Sequence, residues 1–286
     1  MAARKDWLHY TVRQEREIIA LYERAGETLI AQIQKDSKAD KYLKARRMTM
    51  MKQIDAELSA LRISVNSKIM AAMRQSVDSG MKSGIIAGTK VGIRGSIQIG
   101  SSYIGIDGIV RRYDAKAIAY KGSPWARINM NAMEALLKYR PTGLTFSESV
   151  WDATWEVQKR LKFMVNQAVM LGTSSQNLAR DIKKYVSADG IRTSPGVYKS
   201  AYKNAWRLAR TEMNRAYTEG QIRYAMKKNW IDGMIWRLGN TDACEQCRAL
   251  AGTFYPKDDV PERPHPHCMC WLEWHIADEE GQGQAA

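Results

Sequence analysis

Cys244-Glu245-Gln246-Cys247, then seventeen intervening residues, then His265-Pro266-His267-Cys268-Met269-Cys270: this stretch holds all four cysteines and two of the four histidines of a 286-residue chain. Two close-set ligand pairs joined by a loop are what a tetrahedral metal ion requires, because each pair supplies two corners from one tight turn. The alternative is a pair of disulfides. Residues 1–10 carry Arg4, Lys5 and Asp6 and no apolar core of signal length, so nothing reads as a secretory leader. For a reducing compartment this spacing favours zinc over disulfides. Cys244 with Cys247, and His265 with Cys268, give a site of three cysteines and one histidine. An all-cysteine site using Cys268 and Cys270 competes with it. His267 and His275 are expected to be supporting or surface groups. With this many soft ligands the shell closes, and the zinc is expected to be structural.

Working outward, two catalytic readings of the cluster fail on order. A zinc deaminase places H-x-E before P-C-x-x-C, whereas here C-x-x-C comes first and no glutamate lies two residues after His265 or His267. A His-Asn-His nuclease wants an asparagine and a further histidine downstream, and after Cys270 the chain offers only His275.

The residues flanking the cluster suggest strands: 234–238, 252–255 and 270–275. A sheet that small has little core of its own, which is where a metal clip is useful. The rest reads as helix. Leu8, Val12, Ile19, Tyr22, Leu29 and Ile33 are spaced by three, four or seven over residues 4–36. Ile54, Leu58, Leu61, Val65, Ile69, Met73 and Val77 mark a long helix over about 41–79, without the sustained heptad of a coiled coil. Residues 80–108 contain eight glycines. Gly80, Gly84, Gly88 and Gly92 would form one smooth helical face, and the later ones suit a loop or short strands. Lys82, Lys90 and Arg94 oppose burial of this segment in lipid. From about 125 the helical pattern resumes. Thr145 and Glu148 have capping-box spacing before one helix, Gly172 ends it, and Ser174 or Ser175 caps the next through Val186. Residues 187–196 read as a loop, and a long helix follows over about 198–229.

Charge is uneven. Residues 241–286 hold three basic and nine acidic residues, a net of −6, so the whole-chain +14 leaves +20 on residues 1–240. A helical body that basic points to a polyanion, most simply double-stranded DNA bound without sequence preference. Helices would gather Lys41, Lys44, Arg46 and Arg47 in one cluster, with Arg207, Arg210, Lys227 and Lys228 in another.

Ala209-Arg210-Thr211-Glu212 on a helix, Trp236 separated by five residues from Asp242, Cys244-x-x-Cys247-x-x-Leu250-x-Gly252, and His265-Pro266-x-Cys268-x-Cys270 together resemble the phage head-morphogenesis family of Mu F-like minor head proteins. The resemblance covers about residues 145–275. It departs from the family pattern at Met269, where arginine is usual between the last two cysteines. It implies a minor head protein of a tailed phage or prophage that is no enzyme. The protein would associate with the portal inside the head, contact packaged DNA, and pass through the host cytoplasm during assembly. Scaffold and coat protein are further candidate partners, and a membrane is not expected. Arg210, Glu212 and Asp242 would form a polar brace between the long helix and the zinc module. The competing functions are a zinc-dependent nuclease acting on phage DNA and a membrane-active DNA-ejection protein working through residues 80–108.

The expected fold is therefore mostly α, long helices with a small C-terminal zinc-stabilised β module. The expected division is an N-terminal helical region over 1–110 and a Mu F-like domain over 111–286, with the zinc module at about 230–276.

Overall fold

The computed structural model describes residues 2–35, 43–90, 97–99, 102–104, 110–112, 124–138, 146–186, 192–194, 197–198, 201–239 and 243–277. In chain order the helices are α1 (Ala2–Lys35), α2 (Leu43–Lys90), α3 (Pro124–Lys138), α4 (Phe146–Leu171), α5 (Ser175–Val186), α6 (Ala201–Ala225) and α7 (Glu245–Leu250). The strands are β1 (Ile97–Ile99), β2 (Ser102–Ile104), β3 (Val110–Arg112), β4 (Arg192–Ser194), β5 (Val197–Tyr198), β6 (Ile231–Arg237), β7 (Phe254–Pro256) and β8 (Trp271–Ile276). The fold is mostly α with a small C-terminal three-stranded sheet, as the periodicity predicts. None of the described helices is long and apolar enough to cross a membrane.

The chain forms two compact units, each assembled from separated segments. One comprises Met1–Thr11, Ala71–Tyr139 and Thr211–Ala286, and the other Val12–Met70 and Arg140–Arg210. Three helices, α1, α2 and α6, contribute a piece to each.

In the second unit, Ile18, Tyr22, Ala25, Leu29 and Ile33 of α1 are buried, as are Met50, Ile54, Leu58, Leu61, Val65 and Ile69 of α2. They join Val150, Val157, Leu161 and Val165 of α4 and Leu178, Ile182 and Val186 of α5. The turn between α4 and α5 follows the expected chemistry. Gly172 takes φ +64 to end α4. The hydroxyl of Ser174 then accepts from the Asn177 amide at 3.3 Å, capping α5. The capping pair Thr145 and Glu148 lies outside the described side chains. Where a loop was expected after α5, β4 and β5 form a short antiparallel pair.

The buried face of α1 differs from the expected stripe. Trp7, Thr11, Gln14, Glu15 and Ile18 are buried, whereas Val12 is exposed. Three polar residues interrupt the apolar pattern, and each can enter a buried face only with its bonds satisfied. The Thr11 hydroxyl donates to the Trp7 carbonyl, and Glu15 receives a two-pronged pair from Arg210 at 2.6 and 2.8 Å.

In the first unit, α2 continues past the expected end to Lys90, burying Ala72, Met73, Val77, Met81 and Ile85. Its glycines explain the continuation. A Cβ on Gly80 would lie 2.0 Å from the Tyr217 carbonyl oxygen, and one on Gly220 would lie 2.2 Å from that of Val77. The two helices α2 and α6 thus cross backbone to backbone, which only residues without a side chain permit. Gly84 and Gly88 face the rings of Tyr224 and Trp230. Further along, β1, β2 and β3 form an antiparallel meander. In the C-terminal sheet β6 is central, with β7 and β8 antiparallel on its two sides. Ile231, Met234 and Trp236 of β6 and Leu272 of β8 are buried.

Candidate metal centre

The chain leaves β6 and enters α7 at Cys244. The Cys244 sulfur caps this short helix, accepting from the Cys247 amide at 3.3 Å. That cap puts both sulfurs of C-x-x-C at one end of one turn. The return segment is shaped by a left-handed residue, His267 at φ +67. Such a conformation costs a non-glycine residue free energy and persists only where its surroundings hold it. Here the His267 amide donates to the Thr211 hydroxyl at 2.9 Å.

Helix α6 does most of this holding. The Asn214 side-chain amide donates to the Cys268 carbonyl at 2.6 Å and also reaches that of Cys270. Gln221 donates to the Leu272 carbonyl at 3.0 Å. Thr218 receives the guanidinium of Arg263, which also donates to the Cys270 carbonyl. Thr211, Asn214, Thr218 and Gln221 recur every three or four residues and so share one face of α6. Sequence reading passed over this polar stripe, although its helical spacing next to Ala-Arg-Thr-Glu is the signal that marks it. From the N-terminal end of the same unit, Arg4 donates to the Met269 carbonyl at 2.7 Å and lies over the Trp271 ring.

The five candidate ligands form two groups that share Cys247. Donor atoms of Cys244, Cys247 and His265 lie within 4.8 Å of one another, and so do those of Cys247, Cys268 and Cys270. Cys247 Sγ is 3.3 Å from His265 Nε2 and 3.6 Å from Cys268 Sγ. A tetrahedral ion with metal–sulfur bonds of about 2.3 Å sets its ligands roughly 3.8 Å apart, so these separations suit the edges of one coordination shell. His265 is oriented for the task. Its Nδ1 lies 2.7 Å from the Pro266 carbonyl, an acceptor only, so Nδ1 carries the hydrogen and Nε2 presents its lone pair to Cys247.

Electrostatics point the same way. Burial raises the thiols of Cys247 and Cys268 above their ordinary value, whereas the backbone amide of Cys247 lowers that of Cys244. Packing several such thiols together favours the neutral forms, and a divalent cation reverses that balance by stabilising thiolates. The cluster could hold a metal ion. His275 stands apart, its Nδ1 2.8 Å from an Asp232 carboxylate oxygen.

The other residues singled out from sequence are placed as follows. Arg210, bonded to Glu15, also stacks over Trp206 at 4.6 Å, in the unit of residues 12–70 and 140–210. Glu212 is buried and bonded to Arg215 at 2.7 Å, and burial raises its carboxyl pKa. Asp242 lies outside the described residues, as does Lys41. Lys44 and Arg46 sit on the first turn of α2, with side chains not described, and Arg47 is exposed beside them. Arg207 is half-buried in that same unit. Lys227 is exposed in the other unit, next to Lys228, whose ammonium lies over the Tyr224 ring.

Residues 159–273 match the family described as Phage Mu protein F like protein. The match contains every candidate ligand and the polar stripe of α6, and it supports placing the chain in the phage head-morphogenesis family. Neither the curated proteins nor the solved structures gave a match.

Proposed function

We propose, from the Mu F-like match over residues 159–273, that this chain is a minor head protein of a tailed phage or prophage, binding the portal and packaged DNA. The convergence of Cys244, Cys247, His265, Cys268 and Cys270 supports a structural zinc as part of that role. Among these, the oriented His265 Nε2 favours three cysteines and one histidine, with Cys244, Cys247, His265 and Cys268 as the set. A shell closed by three thiolates and one imidazole leaves the ion no place for a substrate water, which favours a scaffold over a nuclease. The zinc would fix the segment between β6 and β8 and so present one rigid surface of the first unit. The basic excess on residues 1–240 supplies a phosphate-binding surface. The location that follows is the virion head.

Copurification tests the assignment. Coexpressed with the portal protein of its own phage and without coat protein, the intact chain is expected to form a stable complex. Its failure to bind portal would overturn the proposal. Removing residues 4–79 is expected to abolish the complex.

A further inference from the structure

Within the metal centre one cation has no part in the ligand set yet touches it. Arg263 is half-buried beneath the cysteines. Its guanidinium donates to Cys268 Sγ at 3.8 Å, to the Cys270 carbonyl and to the Thr218 hydroxyl, and it lies 5.5 Å from the centre of the Trp236 ring. The fork is thus fixed from three sides: by a helix, by a strand and by the ligand loop itself.

We infer that Arg263 is the positioning residue of the metal centre, holding Cys268 as the ligand that completes the shell and balancing its charge. The inference rests on the zinc reading above. Three thiolates around a divalent zinc leave one negative charge, and a neutral histidine adds none. A buried net charge is costly unless paired, and one guanidinium cancels it. Donation to a ligand sulfur fixes its direction, and loss of a partner of this kind typically costs roughly 10- to 100-fold in metal affinity. Arginine suits the task better than lysine, because only the planar fork reaches a sulfur, a carbonyl and a hydroxyl together.

The test uses the full chain, purified with zinc and challenged with a chelator. Arg263→Gln is expected to release zinc at roughly 10- to 100-fold lower chelator concentration than the unmodified protein. Arg263→Lys, which keeps the charge and loses the fork, is expected to fall between them. With cobalt in place of zinc, the sulfur-to-metal charge-transfer band is expected to move in Arg263→Gln, which loosened packing alone would not produce. Should Arg263→Gln fail to fold, Arg263→Lys and Thr218→Val carry the test. Wild-type zinc retention and an unmoved cobalt band in the folded variants would overturn the inference. An unmodified protein that holds no metal would instead overturn the zinc reading itself.

Discussion

Gly80→Ala is a demanding test of the packing of the unit that carries the metal centre. In an exposed helix this change stabilises by about 1 kcal/mol, since alanine has far less backbone freedom to lose. Here the new methyl carbon would lie 2.0 Å from the Tyr217 carbonyl oxygen and 3.0 Å from its carbon. The obstacle is backbone, so no side chain can rotate aside, and α2 and α6 must part by an ångström or more. On that crossing the reciprocal contact of Gly220 with the Val77 carbonyl gives no slack. Overpacking a tight core costs typically 1–3 kcal/mol and occasionally more, and this backbone clash belongs at or above the top of that range. After subtracting the propensity gain, the net loss is about 2 kcal/mol, a factor of roughly 30 in the local opening equilibrium. Amide hydrogen exchange of α2 over residues 71–90 reads this directly, as a fall of about that factor in protection. Unchanged or increased protection would refute the backbone-to-backbone crossing.

Other outcomes follow from separate parts of the molecule. Cys247→Ser removes the donor shared by both ligand groups and is expected to empty the site. Structural zinc contributes on the order of 10 kcal/mol to folding, so protease cleavage should open within 243–270, and unchanged resistance would count against a structural metal. Asp55 supplies an acid-dependent tie. Burial opposes its ionisation, but hydrogen bonds from Lys162 and Gln158 outweigh that and depress its pKa below 3.8. Its contribution is therefore present above 3.8 and lost as pH falls through the lowered value. Accordingly, Asp55→Asn is expected to lower the urea midpoint at pH 7, with the difference from the unmodified chain shrinking in acid. A pH-independent difference would show that the carboxylate charge does not matter. DNA binding is expected to weaken with salt by about 0.9 log units per phosphate neutralised. Replacing Lys44, Arg46 and Arg47 together with alanine should flatten that slope by roughly 2 to 3, and binding indifferent to salt would exclude a phosphate-reading surface.

What the sequence made legible was what rests on apolar spacing and on ligand chemistry. The stripe from Ile54 to Val77 announced α2, and the paired cysteines announced the two ligand groups that share Cys247. Partnered polar residues hid the rest. The buried face of α1 passes through Thr11, Gln14 and Glu15, so an apolar count chose Val12, which is exposed. Glu15 is buried because Arg210, 195 positions away, satisfies it; no local pattern carries that fact. Similarly, Gly80, Gly84 and Gly88 could be read as a smooth helical face, but the partner of Gly80 is a carbonyl of α6 and became visible only in three dimensions.

The centre itself combines two kinds of restraint that act on different parts of the sheet. Strands β6 and β8 pair from Ile231↔Ile276 to Arg237↔Trp271, and the buried Met234, Trp236 and Leu272 give that pair an apolar face. These strands draw on ordinary burial. The connection from Cys244 to Cys270 has less of this, since only its β7 pairs with β6 and α7 buries only Cys247. The rest of its order comes from polar contacts, with Thr211 and Thr218 accepting and Asn214 donating on the α6 side, and from the candidate metal ligands on the other. Each α6 contact is a hydrogen bond, worth about 1 kcal/mol net, so together they fall well short of the order of 10 kcal/mol that a closed zinc shell supplies. The stripe on α6 and the pairing of β7 with β6 therefore set where the loop lies, and a zinc bound in the proposed site would add the larger share of its stability.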